Sequence, residues 1–95
     1  MSLAQLQSQF EAEIGAMAAQ GNRAGEAELR SQLGLLCSQN KQWARAATQF
    51  DKAAVLAETD NQTALVAQYR YAQGMSLQHL HKRRREAKRV LRQAR

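Results

Sequence analysis

The sequence predicts an all-α protein of about five helices packed as antiparallel hairpins. Its 95 residues include no proline, and the aromatic residues are limited to two Phe, two Tyr and one Trp, a composition that favours helix over strand. Apolar residues recur at spacings of three and four in successive segments, as they do on one face of a helix. A chain of this length forms one domain with a modest core. Because much of its apolar content is alanine, close contact between helices must supply the packing.

The first predicted helix spans residues 2–20. Ser2 and Gln5 have the spacing of a capping box, and Gly21 supplies a stop because glycine adopts the left-handed conformation without a steric penalty. The apolar stripe between them comprises Leu3, Leu6, Phe10, Ile14 and Met17.

The next two predicted helices form an antiparallel pair over residues 25–60. The first runs from Gly25 to about Gln39, and its apolar stripe comprises Leu29, Leu33, Leu36 and Cys37. A polar break at residues 38–41 follows, and so short a connection makes the two helices antiparallel. The second ends in the cluster at residues 59–61, and its inner face comprises Trp43, Ala46, Ala47, Phe50, Ala53, Ala54 and Ala57.

Two more helices are expected within residues 61–95. The fourth runs from about residue 62 to 80, with Leu65, Tyr69, Ala72, Met75 and Leu77 as its buried positions. A break at His81 and Lys82 then precedes a basic fifth helix, whose apolar face comprises Ala87, Val90, Leu91 and Ala94.

An internal repeat of about forty residues relates the two halves of the chain. Gly34 recurs as Gly74, and the small–large–small spacing of the third helix recurs forty-one residues later at Ala87, Leu91 and Ala94. Repeats of this length are typical of solenoids, in which each unit covers an apolar face of its neighbour. The small residues let paired helices approach closely, while the large ones fill the groove beside them.

Residues 27–60 resemble the tetratricopeptide repeat family. The family motif has a large residue and Leu-Gly in the first helix of a pair, then an aromatic residue near the start of the second helix and Ala, an aromatic residue and Ala along it. The matching residues here are Leu33, Gly34, Trp43, Ala46, Phe50 and Ala53. The copy at about 67–95 departs from the motif, since Gln73 replaces the leucine and Arg83 the aromatic residue of the second helix.

The resemblance implies a right-handed solenoid that acts as a protein-interaction module. Residues 2–20 would be an N-terminal helix, 25–60 a first repeat and 61–95 a divergent second repeat with a basic last helix. In this family a peptide or helix of a partner docks on the concave face. Carried onto this sequence, that face comprises Glu28, Ser31, Leu35, Ser38, Gln39, Gln68, Tyr71, Met75, Gln78 and His79. Family members that clamp a C-terminal carboxylate have Lys and Asn where Ser31 and Leu35 stand, so that activity is not expected.

The positive charge lies at the C-terminal end of the chain. Residues 1–81 carry six basic and seven acidic side chains, whereas residues 82–95 carry eight basic and one acidic, which together give the net charge of +6. The basic patch comprises Lys82, Arg83, Arg84, Arg85, Lys88, Arg89 and Arg92. Such a cluster binds nucleic acid or an acidic partner, or is a solvated helix face. We favour the solvated face and keep the binding of nucleic acid or of an acidic partner as the alternative.

A third interpretation is a self-assembling element. The expected fifth helix has no glycine stop and no polar capping helix after it, although the end of a repeat array normally needs one. Either homo-oligomerisation or a longer natural chain would cover its exposed face.

Catalytic and cofactor chemistry has no support in the sequence. No glycine loop has a phosphate-binding pattern, and no nucleophile has an evident base partner. Cys37 lies on an apolar stripe and is expected to be a buried, inert thiol, while His79 and His81 are two residues apart and point to different helix faces. With no long apolar segment and no signal sequence, we expect a cytoplasmic protein that binds neither cofactor nor membrane.

Overall fold

The computed structural model describes residues 1–93, except for the side chains of residues 90, 91 and 93. Over this range the chain forms four α-helices and no strand: α1 Leu3–Ala19, α2 Arg23–Gln39, α3 Trp43–Thr59 and α4 Thr63–Gln93. Each helix packs on the next one along the chain, and three-residue loops join them, so successive helices run antiparallel. The prediction of an all-α fold is confirmed.

The helices begin at intervals of 20 residues because α1, α2 and α3 each have 17 residues and three equivalent turns connect them. The middle residue of each turn is left-handed: Gly21 has φ 68°, Lys41 60° and Asn61 56°. In each turn the following N–H, that of residue 22, 42 or 62, donates to the carbonyl oxygen five residues earlier at 2.9 Å. This is the Schellman arrangement, which satisfies carbonyls at a helix end. Residue type favours this conformation at Gly21 and Asn61 but not at Lys41.

Side-chain caps fix the first two helix starts. Ser2 Oγ accepts from the Gln5 N–H and Gln5 Oε1 accepts from the Ser2 N–H, so the predicted capping box is confirmed. Asn22 caps α2 by accepting from the Gly25 N–H at 2.9 Å. The helix therefore starts at Arg23, two residues before the predicted start.

The core of the first three helices surrounds the ring of Phe50. A Cβ atom at Gly34 would lie 3.0 Å from this ring, so the absence of a side chain on α2 is what lets the ring approach. The buried residues around this contact come from α1, α2 and α3 and comprise Ile14, Leu33, Cys37 and Ala46. Four partly buried residues pack against them, namely Phe10, Leu29, Leu36 and, from α4, Ala72. The predicted inner faces of α2 and α3 are confirmed.

A second cluster made mainly of alanine joins α3 to its neighbours. Ala53, Ala54 and Ala57 of α3 are buried with Tyr69 of α4 and Ala27 of α2. Small side chains at these positions allow close packing of the helices, which compensates for the small area that each alanine buries.

The buried face of α4 differs from the predicted one. Tyr69 is buried and Ala72 partly buried as expected, but Leu65, Met75 and Leu77 are 37%, 38% and 46% exposed. The positions that face α3 instead are Val66, Tyr69, Ala72, Ser76 and Leu80. The prediction was wrong because it followed the largest apolar residues, whereas a serine lies at the centre of the contact.

The predicted fifth helix is absent from the described residues, since α4 continues through His81 and Lys82 for 31 residues. The equivalent turn would need a left-handed residue at position 81. Leu80-His81-Lys82 offers neither Gly nor Asn there, and no Ser, Thr, Asp or Asn follows to cap a new helix. Ala87 is exposed. The side chains of Val90 and Leu91, and the whole of Ala94, lie outside the described residues.

Removing the Phe50 ring should destabilise the fold strongly. We expect Phe50→Ala to lower the free energy of unfolding by about 3–5 kcal/mol, because the ring leaves a cavity against α2. Val55→Ala on the same helix is the control. Val55 is 48% exposed, so its loss should be about 0.5 kcal/mol or less. Urea unfolding followed by circular dichroism measures both, and equal effects would contradict the assigned core.

The left-handed turn makes Gly21 sensitive to any side chain. Gly21→Ala should lower the free energy of unfolding by about 1–2 kcal/mol, because a Cβ atom is strained at this φ. Gly15→Ala is the matched control. Gly15 lies within α1 with open space around it, so alanine there should stabilise by about 0.5–1 kcal/mol. The same denaturation assay applies, and a stabilising Gly21→Ala would refute the turn assignment.

Candidate interaction surfaces

The predicted concave face consists of two equivalent sets of residues. Five members lie on α2 and five on α4, and each α2 member has its α4 counterpart forty residues later, at the same position in its helix. Both helices pack on α3 and run in the same direction. The two sets are Glu28, Ser31, Leu35, Ser38 and Gln39, and Gln68, Tyr71, Met75, Gln78 and His79.

Most of these side chains are exposed, and three of them are large and apolar. Leu35 is 53% exposed, Tyr71 72% and Met75 38%. Ser31 and Ser38 are half-buried, and each hydroxyl donates to a carbonyl oxygen of α2 itself, at 2.7 and 2.8 Å. The apolar side chains are therefore the groups that a partner would gain most by covering.

His79 is held by α3 through its contact with Trp43. The two rings stack with centroids 4.3 Å apart and planes inclined by 14°. Trp43 is itself half-buried at the start of α3, on the inner face that the sequence predicts for this helix. The stacking therefore gives the His79 imidazole a fixed position at the edge of the α4 part of the predicted concave face.

The basic patch lies on the last third of α4, and all seven of its side chains are exposed. The ion pairs of residues 1–93 use other arginines, namely Arg23, Arg30, Arg45 and Arg70. Within the patch, Arg83 Nη1 donates to the carbonyl oxygen of Lys41 at 3.4 Å. Arg92, which lies in the last turn of α4, also complements the dipole at this end of the helix.

Sequence reasoning missed an arginine that forms ion pairs between α4 and α3. Arg70 pairs with Asp51 and with Glu58, the latter at 3.0 Å, and both acceptors lie on α3. These hydrogen bonds raise the pKa of Arg70 further above its ordinary value. No regular pattern marked it, because its partners lie 19 and 12 residues away.

A second surface on α4 was also missed. A shallow depression runs along the outer side of this helix, and its lining residues come from α4 alone. We call it the open face of α4, and it comprises Gly74, Leu77, Gln78, His81, Lys82, Arg85, Glu86 and Arg89. Their spacing of three and four residues could have indicated a shared face, but Leu77 had been assigned to the core.

Cys37 lies in a buried polar contact between α1, α2 and α3. The Gln7 amide donates to Gln42 Oε1 at 2.7 Å and lies 3.8 Å from the Cys37 sulfur, and Arg45 donates to Gln7 Oε1 at 2.6 Å. Burial raises the pKa of the thiol, and this effect outweighs the opposite influence of Arg45 and Gln7. The thiol is fully buried, which agrees with the expected inert cysteine.

In residues 1–93, no three His, Cys, Asp or Glu side chains come together in a way that could hold a metal ion. Over the same part of the chain, no helix has the length and apolar character needed to cross a membrane.

Cys37 should give the fold a pH dependence. Because the folded-state pKa of the thiol is raised, its contribution to stability is fully present below the unfolded pKa and is lost as the pH rises through the folded pKa. Between about pH 8 and 10, the free energy of unfolding should fall more steeply for the wild type than for Cys37→Ala. Urea denaturation in reducing buffer measures the two slopes, and equal slopes would contradict a buried thiol.

Comparisons with protein families, with curated proteins and with solved structures found no match to this chain. The tetratricopeptide resemblance therefore stays a prediction that rests on the spacing of residues 27–60.

Proposed function

We propose that this protein is a protein-interaction module that holds a peptide or helix of a partner on the faces of α2 and α4. In this proposal the helices form a short right-handed solenoid of tetratricopeptide-like hairpins and the protein serves as an adaptor or scaffold in the cytoplasm. The observation that carries the proposal is the repetition of exposed apolar side chains. Leu35 and Met75 occupy equivalent positions forty residues apart, with Tyr71 beside Met75 on the same helix face.

The physical basis of binding is the burial of these side chains together with a few polar contacts. Covering an exposed aromatic or aliphatic side chain contributes about 1.5–3 kcal/mol when burial is complete. Two helices offer few such contacts, and association has a large entropic cost. We therefore expect modest affinity and a short ligand, either an extended peptide or one amphipathic helix.

A second candidate function is the binding of nucleic acid or of an acidic partner through the basic patch. Its support is the group of seven exposed cations at one end of α4. Binding to phosphates would depend strongly on salt, because each neutralised phosphate releases a counterion. Self-assembly is the third candidate, and a light-scattering mass above that of one chain would favour it.

The first experiment is a peptide selection against the predicted concave face. A phage-displayed random library is selected on the immobilised protein, and the affinity of each recovered peptide is measured by fluorescence anisotropy. We expect a triple variant, Leu35→Ser/Tyr71→Ser/Met75→Ser, to weaken binding by about tenfold or more, because it removes the exposed apolar groups. Val55→Ser is the control, since Val55 is a comparably exposed apolar residue on α3.

Two outcomes would refute this assignment of function. One is a selection that yields no peptide, and the other is equal binding by the triple variant and the wild type. Single-stranded and duplex oligonucleotides are titrated in parallel at low and near-physiological salt. Nucleic-acid binding that persists at the higher salt and disappears in Arg83→Ala/Arg84→Ala/Arg85→Ala would favour the second candidate function instead.

A further inference from the structure

The two glycines related by the forty-residue repeat have different surroundings. At Gly34 the ring of Phe50 from the following helix lies so close that an added Cβ atom would be 3.0 Å from it. At Gly74 an added Cβ atom would have no neighbour within 4 Å. The position on α4 that corresponds to the best-packed point of α2 is therefore uncovered in the structure.

The open face of α4 combines an apolar half with a positive half. Gly74 and Leu77 lie at its N-terminal end, and Leu77 is 46% exposed. Lys82, Arg85 and Arg89 lie at its C-terminal end, where Glu86 is the one acidic side chain in the lining. A ligand that matches both halves needs an apolar segment and a negatively charged segment in a fixed order along its length.

We propose that the open face of α4 binds an amphipathic helix of a partner protein, antiparallel to α4, with acidic N-terminal turns and an aromatic residue that packs over Gly74. The acidic turns would meet Lys82, Arg85 and Arg89. Gly74 precedes Arg85 by eleven residues on α4. In an antiparallel ligand helix the order is reversed, so the aromatic residue over Gly74 would come about eleven residues after the acidic group that faces Arg85. Acidic residues in the first turns of a helix also complement its own dipole.

The packing of α3 on α2 supplies the geometric argument for a helical ligand. There an antiparallel helix covers the equivalent glycine with an aromatic ring, and Ala46 lies beside that ring against Cys37. Leu77 is the counterpart of Cys37 on α4, so an alanine or another small residue one turn before the aromatic residue would face it. Gly74 and Leu77 on the open face therefore have the same spacing as Gly34 and Cys37, the positions at which α2 contacts a helix.

Charge argues against the basic C-terminal segment of a second copy as the ligand. The C-terminal segment of the chain carries eight basic residues and one acidic residue, so it would be repelled by Lys82, Arg85 and Arg89. Nucleic acid would match the charge but not Gly74 and Leu77. The proposal is independent of peptide binding on the predicted concave face, with which the open face shares Gln78.

The test uses a designed peptide as the ligand. Two glutamate-rich helical turns precede the α3 sequence, Trp43–Thr59, in a fluorescein-labelled probe, and a control probe has lysine in place of each glutamate. Binding to the full chain is measured by fluorescence anisotropy at near-physiological salt. We expect the acidic probe to bind in the micromolar range and the lysine probe to bind more weakly by about tenfold or more.

Matched variants test whether the probe lies on the open face. Gly74→Leu fills the space over the helix and Gly15→Leu makes the same change at an exposed helical glycine of α1. Arg85→Glu/Arg89→Glu reverses the charge of the face, and Lys41→Glu/Lys52→Glu makes the same charge change at exposed residues outside both this face and the basic patch. The first member of each pair should weaken binding by about tenfold or more, and the second should leave it within about twofold.

Several results would overturn the proposal. One is an acidic probe that does not bind to the protein. Another is equal binding of the acidic probe by Gly74→Leu and Gly15→Leu when both variants retain the helical circular-dichroism signal. A duplex oligonucleotide that binds more tightly than the probe and equally well to Gly74→Leu would assign the face to nucleic acid. A dimer by light scattering that Gly74→Leu converts to monomer would assign it to a second copy. The triple variant of the concave face should still bind the acidic probe, which separates failure of this proposal from failure of the proposed function.

Discussion

The contact between Phe50 and Gly34 sets the spacing on which the rest of the fold depends. Because α2 carries no side chain at this point, the ring lies against the helix surface and brings the fully buried Leu33, Cys37 and Ala46 around it. The alanines along α3 extend this close packing to α4. Since alanines bury little area each, much of the stability of so small a domain must come from the few large groups, and the Phe50 ring is the largest of those in its cluster.

The packing of each helix on the next one also explains why α4 presents surfaces for binding. Each helix from α1 to α3 packs on a following helix, whereas α4 has none after it in the described residues and continues as a single helix of 31 residues, about 46 Å long. One side of α4 packs on α3 through Tyr69 and the alanine cluster, and Arg70 adds ion pairs across the same contact. The remaining sides carry Tyr71, Met75 and Leu77, which are large side chains at exposed positions. Tyr71 and Met75 share one face, Leu77 lies on the open face, and exposed apolar groups that neighbour one another are a feature of interaction sites.

The arginines of residues 1–81, which we call the body of the molecule, and the cations of the basic patch have different surroundings. The arginines of the body are paired with carboxylates on neighbouring helices or on their own helix. The cations of the basic patch are exposed, and an exposed charge contributes little to folding. Their long-range field attracts acidic ligands and speeds association. A change in the patch should therefore alter binding more than it alters the fold.

The sequence by itself determined the helical class, the capping box at Ser2, the glycine turn at residue 21 and the inner face of α3, because each follows from local residue type or spacing. Tertiary structure decided the rest. Lys41 adopts a left-handed conformation that its residue type does not favour, and Leu77 is exposed because Ser76 takes the place against α3. The candidate sites divide in the same way. The basic patch is visible in composition, whereas the open face depends on whether a helix follows α4 and covers Gly74, which helical periodicity alone does not specify.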